Sequence, residues 1–418
     1  MWKQVDEGFW KKNRESKVDE VRDAVQDIID LVRFEGDEAL VDLTMKFDKI
    51  MLNEIEVSRD EIEEAYENID PVLLDELENA AEYIQRFHEL QVPEDLWLKE
   101  VEPGITLGVK STPLERVGCY IPGGRASYPS TALMCVIAAK VAGVEEVICC
   151  TPPPINPITL VAMDIAGADE IYKVGGAQAV AAMALGTESI EPVQKIVGPG
   201  NVFVTAAKTM LRKDVEIDFP AGPSEIGVLA DETANAKFIA SDLLAQSEHD
   251  PSSACLLITT DPELPSEVWS YMEKMIENAP RKETILSALE NSGYIVEKDI
   301  DLAVEMMNGI APEHLSIQVK DSLDVLSKIT NAGSIFIGPY TPVAAGDYAS
   351  GTNHVLPTAG HSTTMSGLNV AHFRKTSTVQ MMTRDGLSAL APTIMTISKA
   401  EGLHAHSESV KIREHRKE

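Results

Sequence analysis

Over the first ninety positions, apolar residues recur at intervals of three and four. In "KVDEVRDAVQDIIDLVRFEG", Val18, Val21, Val25, Ile28, Ile29 and Val32 fall on one face and Gly36 supplies a stop, which predicts an amphipathic helix with a solvated polar side. Ser58 and Glu61 make a capping box for "EIEEAYENI", and Pro71 opens "PVLLDELENAAEYIQRFHEL" at a position where proline is harmless. His88 in that helix is read as structural. Around "LWLKEVEPGITLGVKSTPLERVGCYIPGG" the period falls toward two with "EPG" as the turn, which predicts a hairpin.

From residue 119 short apolar runs alternate with helices. "EEVICCT", "DEIYKVGG", "VQKIVGPG" and "VEIDFPAGP" read as buried strands ending in Gly or Pro, separated by "NPITLVAMDIAGA", "AQAVAAMALGT" and "NVFVTAAKTMLRK". Such βα repeats predict a parallel, doubly wound sheet, whose ligands lie outside the carboxyl ends of the strands, where "IPGGRASYPS", "VGGAQA", "VGPGN" and "FPAGPSE" fall. A second α/β stretch follows, with strands at "EIGVLAD", "SACLLITT", "GYIVEK", "LSIQV" and "GSIFIG", and beyond "TVQMMTRDGLSALAPTIMTISKAEGL" the chain ends in a helical tail.

Composition narrows the class. The chain has 418 residues, 44% of them apolar, enough for a substantial core. Its 36 Lys and Arg against 67 Asp and Glu give a net charge of −31, which argues against nucleic acid and membrane surfaces as partners. With neither a signal-peptide core nor a bilayer-length apolar run, the expectation is a cytoplasmic protein. Five cysteines, without disulfide-framework or CxxC spacing, are read as reduced and buried.

The candidate chemistry lies in a few polar knots. "DLLAQSEHDP" places Gln246 and His249 three apart on one helix face beside Glu248 and Asp250. By itself this could be a histidine capping a helix end. "GDYASGTNHVLP" adds Asp347 and His354 in a glycine-rich loop, "APEHLSI" sets Glu313 beside His314 as an acid/base pair, and "EGLHAHSES" adds Glu401, His404 and His406. Histidine, aspartate and a neutral oxygen donor around one centre suit Zn²⁺ with an open position. "GPGNVF" starts a dinucleotide fingerprint but has Phe203 where the third glycine would stand, so tight packing turns and a pyrophosphate cradle both remain open readings.

These blocks, with "GGAQAVAAMALGTESI" and "VGPGNVFVTAAK" between them, resemble the histidinol dehydrogenase family over nearly the whole chain. The resemblance implies two incomplete, doubly wound, Rossmann-like α/β domains of the aldehyde-dehydrogenase type. It places an N-terminal helical segment at 1–20, one discontinuous α/β domain at 21–118 and 226–368 carrying metal and catalytic residues, an NAD-binding α/β domain at 119–225, and a helical tail at 369–418 swapped in a homodimer with shared active sites. It further implies Zn²⁺ ligands Gln246, His249, Asp347 and His406, an acid/base pair of Glu313 and His314, and NAD contacts at Tyr120, Gln178 and Asn201. Substrate contacts would be Ser224 and Glu401 with Gln246, His249, His314, Asp347 and His406. The implied reaction is the NAD-linked, four-electron oxidation of L-histidinol through the aldehyde to L-histidine, without a covalent cysteine. His361, His372, His404 and His415 match no motif position and are read as solvated or packing residues. The rival readings are a relative oxidising another small alcohol such as a sulfonated diol, a zinc hydrolase, and a non-catalytic metal-binding or assembly protein.

Overall fold

A computed structural model describes residues 2–6, 8–10, 18–123 and 127–414. The expected helices form for the expected reasons. Helix α1 (Val18–Glu35) buries Val25, Ile29 and Val32 along one stripe and ends at Gly36, whose φ of 56° suits glycine. After α2 (Asp37–Phe47), α3 (Arg59–Glu67) opens on a complete capping box: Glu61 N–H donates to Ser58 Oγ at 3.2 Å and Ser58 N–H to Glu61 Oε2 at 2.8 Å. Helix α4 (Pro71–Glu89) is capped by Asp70 and buries His88.

The chain divides into two compact units, residues 1–91 with 115–373 and residues 92–114 with 374–418. The first holds two five-stranded sheets. One contains β3 (Arg116–Tyr120), β4 (Glu146–Cys150), β5 (Glu170–Tyr172), β6 (Lys195–Val197) and β7 (Glu216–Ile217), all parallel in the order β5-β4-β3-β6-β7. Helices α5 (Pro129–Val141), α6 (Pro157–Ala166), α7 (Gly176–Leu185) and α8 (Val202–Met210) connect its strands or follow them. The other contains β8 (Glu225–Ala230), β9 (Ala254–Thr259), β10 (Gly293–Val296), β11 (His314–Gln318) and β12 (Ser334–Ile337), again parallel, in the order β10-β9-β8-β11-β12. Its helices are α9 (Ala236–Ser247), α10 (Leu264–Ile276), α11 (Lys282–Ala288), α12 (Ile300–Ile310), α13 (Ser322–Lys328) and α14 (Val343–Tyr348). Both sheets therefore share the winding of a Rossmann-like half, as the βα repeats predict.

Packing departs from the expected grouping in two places. That grouping joined 21–118 to 226–368, but the apolar faces of α1 and α2 share a core with α7, α8 and the first sheet, through Val25, Ile29, Leu40, Val180 and Val204. Residues 2–6, expected within a helical segment, run extended instead: Val5 N–H donates to Tyr294 O at 2.9 Å, and Trp2 sits in the core of the second sheet.

In the second unit, β1 (Leu96–Glu102) and β2 (Ile105–Pro113) make the predicted hairpin. A third strand, β13 (Arg374–Met382), pairs antiparallel along β2 from Pro113 to Ile105, so residues 374–382 of the expected helical tail form a strand. Its partner lies more than 260 positions away and its face is mostly exposed, so no local pattern announces it. Helices α15 (Arg384–Ala400) and α16 (His404–Glu414) complete the unit. Among the described residues no helix is long and apolar enough to cross a membrane.

Candidate active site

Three segments meet at the amino ends of the second sheet. Asn235 caps α9, accepting from Lys237 N–H at 3.0 Å, while Ile239, Ala240 and Leu243 press the helix onto the sheet. Its last turn carries the buried Gln246, and the chain turns at Glu248 to His249, whose carbonyl accepts from Arg281. Gln246 Nε2 is buried without a hydrogen-bond partner. An amide in a polar site with an unanswered end is available to a ligand, and a half-turn exchanges its carbonyl and amine ends.

Glu313 and His314 lie where the chain leaves α12 and enters β11, both about 5% exposed or less. One residue orients both. The backbone N–H of Glu225, first residue of β8, donates to Glu313 Oε2 at 2.8 Å, and its carbonyl accepts from His314 Nδ1 at 3.2 Å. With its proton on Nδ1, His314 has its lone pair on Nε2. That nitrogen is buried without a hydrogen-bond partner, 3.5 Å from Asp347 Oδ1. Burial works against charge on His314, but Glu313 and Asp347 outweigh it and raise the imidazole to about 9. Burial likewise raises Glu313 to about 8, against the pull of His314 and the Glu225 N–H. The two titrate as a pair.

Helix α14 supplies Asp347. Burial opposes its charge, yet His314 wins and holds the carboxyl below its usual range. The Asp347 carbonyl accepts from His354 Nδ1 at 2.8 Å, leaving His354 Nε2 to accept from Thr131 Oγ at 3.1 Å. Burial lowers the His354 pKa, so the ring spans Asp347 and α5 as a neutral bridge. Asn353 anchors the same loop by donating to Met134 O and to His88 Nε2, which gives His88 its structural place. His249 keeps an exposed edge while the protein crowded around it lowers its pKa, partly offset by Asp347. Ser224, half-buried, directly precedes β8.

A neutral amide, an imidazole and an ionised carboxylate are donors that fit Zn²⁺. Among the described residues, no group of three or more His, Cys, Asp or Glu forms a ready metal cluster. Glu401, at the end of α15, and His406, in α16, belong to the second unit, where both are exposed. All five cysteines are free and buried. Burial raises the thiols of Cys119, Cys135, Cys150 and Cys255, which disfavours a thiolate nucleophile.

The other sequence-derived residues gather at the carboxyl ends of the first sheet. Tyr120 ends β3, and its hydroxyl accepts from Gly176 N–H at 3.1 Å. Gln178 is buried in the first turn of α7, and Asn201 caps α8 by accepting from Phe203 and Val204 N–H. The strand order reverses between β3 and β6, and there Gly198, at φ 110°, approaches so closely that an added Cβ would stand 2.2 Å from Tyr120 O. A glycine loop entering a helix N-terminus at such a crevice fits a dinucleotide pyrophosphate. Of the "IPGGRASYPS" loop, residues 124–126 lie outside the described residues, as does His415. His372 accepts from Asn369 N–H and His404 is exposed at the start of α16.

Sequence reasoning missed the Glu225 backbone clamp, the Thr131–His354 link and a buried Lys208–Asp218 pair. The last carried a signal, since a lysine in "NVFVTAAKTM" falls on the apolar face of its helix.

The family model for histidinol dehydrogenase matches residues 11–414. A histidinol dehydrogenase of Methanosarcina mazei is 51% identical over 96% of this chain and 94% of its own. That of Methanothermobacter thermautotrophicus is 52% identical over 95% and 94%. A crystal structure of histidinol dehydrogenase from Elizabethkingia anophelis superposes with a TM-score of 0.94 at 39% identity, covering 99% of this chain and 97% of that one. With a family match spanning nearly its full length and half its residues shared with such relatives, this chain belongs to the histidinol dehydrogenase family.

Proposed function

We propose that this chain oxidises L-histidinol through the enclosed aldehyde to L-histidine, reducing two NAD. The observation that carries this reading is the buried Nε2 of His314, which lacks a hydrogen-bond partner and faces the Asp347 carboxylate, with the opposite nitrogen tied to the Glu225 carbonyl. In its neutral form such a nitrogen can accept a proton from an alcohol held beside it. His314 takes the hydroxyl proton of the alcohol while the carbon gives up hydride to the dinucleotide. Glu313 then removes a proton from water as it adds to the aldehyde, while His314 returns its proton to the aldehyde oxygen, forming a hydrate. His314 takes a hydrate proton as the second hydride leaves, and the carboxylate remains. Ser224, with Glu401 and His406, completes the substrate contacts.

Gln246, His249 and Asp347, with His406, would hold Zn²⁺, which would help orient the substrate and, by neutralising the Asp347 charge, would lower the proton affinity of His314. Tyr120, Gln178 and Asn201 would hold NAD, the hydride acceptor. His406 is proposed to come from a second copy of the chain, whose exposed Trp97, Leu98, Met381, Ile397 and Ile412 offer apolar surface for a homodimer.

The test is spectrophotometric. L-Histidinol with NAD should give NADH, a chelator should abolish the reaction, and Zn²⁺ should restore it. Full activity after chelation refutes the metal role, while reduction of NAD only by another alcohol refutes the substrate.

A further inference from the structure

Lys208 and Asp218 form an ion pair that is almost completely buried, with side chains 3% and 1% exposed. Sealing two charges in the interior is costly, and apolar side chains of similar size commonly give equal or better stability. The geometry points to another use. Strand β6 ends at Val197, so the next residue, Gly198, leaves the ladder and its backbone groups need other partners. The ion pair answers both: Gly198 N–H donates to Asp218 Oδ2 at 2.9 Å, and Lys208 Nζ donates to Gly198 O at 2.9 Å. Asp218 Oδ1 also accepts from Phe219 N–H at 2.7 Å, which fixes the carboxylate.

The pair ties together three elements. Lys208 lies on α8, the helix that the loop from Gly198 to Asn201 enters, and Asp218 follows β7. Gly198 itself is wedged at φ 110° against the Tyr120 carbonyl. The N-terminus of α8 and its cap, Asn201, are thus set against the end of β3 by one buried contact.

We propose that Lys208 and Asp218 are positioning residues for the dinucleotide: they hold Gly198 so that the α8 N-terminus and Asn201 stand ready for the pyrophosphate. This rests on the NAD reading above. A merely structural pair would affect stability alone, and the two roles separate in the double variant Lys208→Met with Asp218→Leu. Apolar replacement removes both buried charges together, so the melting temperature should fall less than in either single variant, while Gly198 is left unanswered.

Calorimetry with NAD alone should then show a Kd weakened by about tenfold or more, and hydrogen exchange at residues 199–204 should quicken, while histidinol affinity is unchanged. Asp218→Asn, which keeps the side-chain shape, should weaken NAD in the same way if the double variant does not fold. A variant that binds NAD as wild type does, with unaltered exchange in the loop, overturns the proposal. Wild-type protein that fails to bind NAD at millimolar concentration overturns the NAD reading itself, and the assigned role with it.

Discussion

The two five-stranded sheets are wound in the same order, yet the candidate chemistry sits at opposite ends of them. On the first sheet it lies at the carboxyl ends, with Tyr120, Gly198 and Asn201; on the second it lies at the amino ends, with Ser224, Glu225, Glu313 and His314. Helix polarity explains the division. A parallel strand's carboxyl end leads into a helix N-terminus, whose free N–H groups favour anions, and the loops there are glycine-rich. An amino end is reached from a helix C-terminus, whose free carbonyls favour cations. Gln246 and His249 stand at the end of α9, and Glu313 and His314 follow the end of α12. One winding thus offers one edge suited to an anion and another suited to a cation.

The largest effect expected from this division is at the amino edge. His314→Asn should lower kcat by roughly 10²–10⁴-fold and leave the calorimetric NAD affinity within about twofold. A comparable loss of NAD affinity would merge the two edges. Next, Gly198→Ala should act on the carboxyl edge alone, since its Cβ has no room beside the Tyr120 carbonyl and its φ is positive. Strain of about 1–3 kcal/mol should weaken NAD by roughly five- to a hundredfold without altering histidinol affinity, and equal weakening of both ligands would break the separation.

The smallest effect concerns Asp242, one turn before Gln246 on α9. Burial raises its carboxyl from 3.8 to about 6. A proton held more tightly in the folded state stabilises it fully below the unfolded value, and this stability is lost as pH rises through the folded one. Asp242→Asn should therefore gain stability over wild type between about pH 4 and 6 and keep it at pH 7, by at most ~3 kcal/mol. A melting-temperature difference independent of pH would contradict the assigned burial.

The first sheet was the more legible of the two. Its strands end in Gly or Pro, its helices alternate with them, and the carboxyl-end rule placed the "VGPGN" and "FPAGPSE" loops where they lie. The second sheet was legible as strands, but that rule says nothing about amino ends, so its chemistry came from residue types and family resemblance. Gln246, His249, Glu313, His314 and Asp347 are each visible in the sequence. What brings them together is not, because the Glu225 clamp is made by backbone atoms and spans nearly ninety positions. Strand β13 escaped for the same reason, since partners distant in sequence leave no local period.

In the proposed reaction one enclosed site performs both oxidations, with His314 as the base in each. Limiting L-histidinol, excess NAD and an aldehyde-trapping reagent test it in one measurement of NADH yield and product. Two NADH and one L-histidine per L-histidinol, with no trapped aldehyde, are predicted. One NADH per L-histidinol, with the aldehyde recovered in the trap, would contradict it.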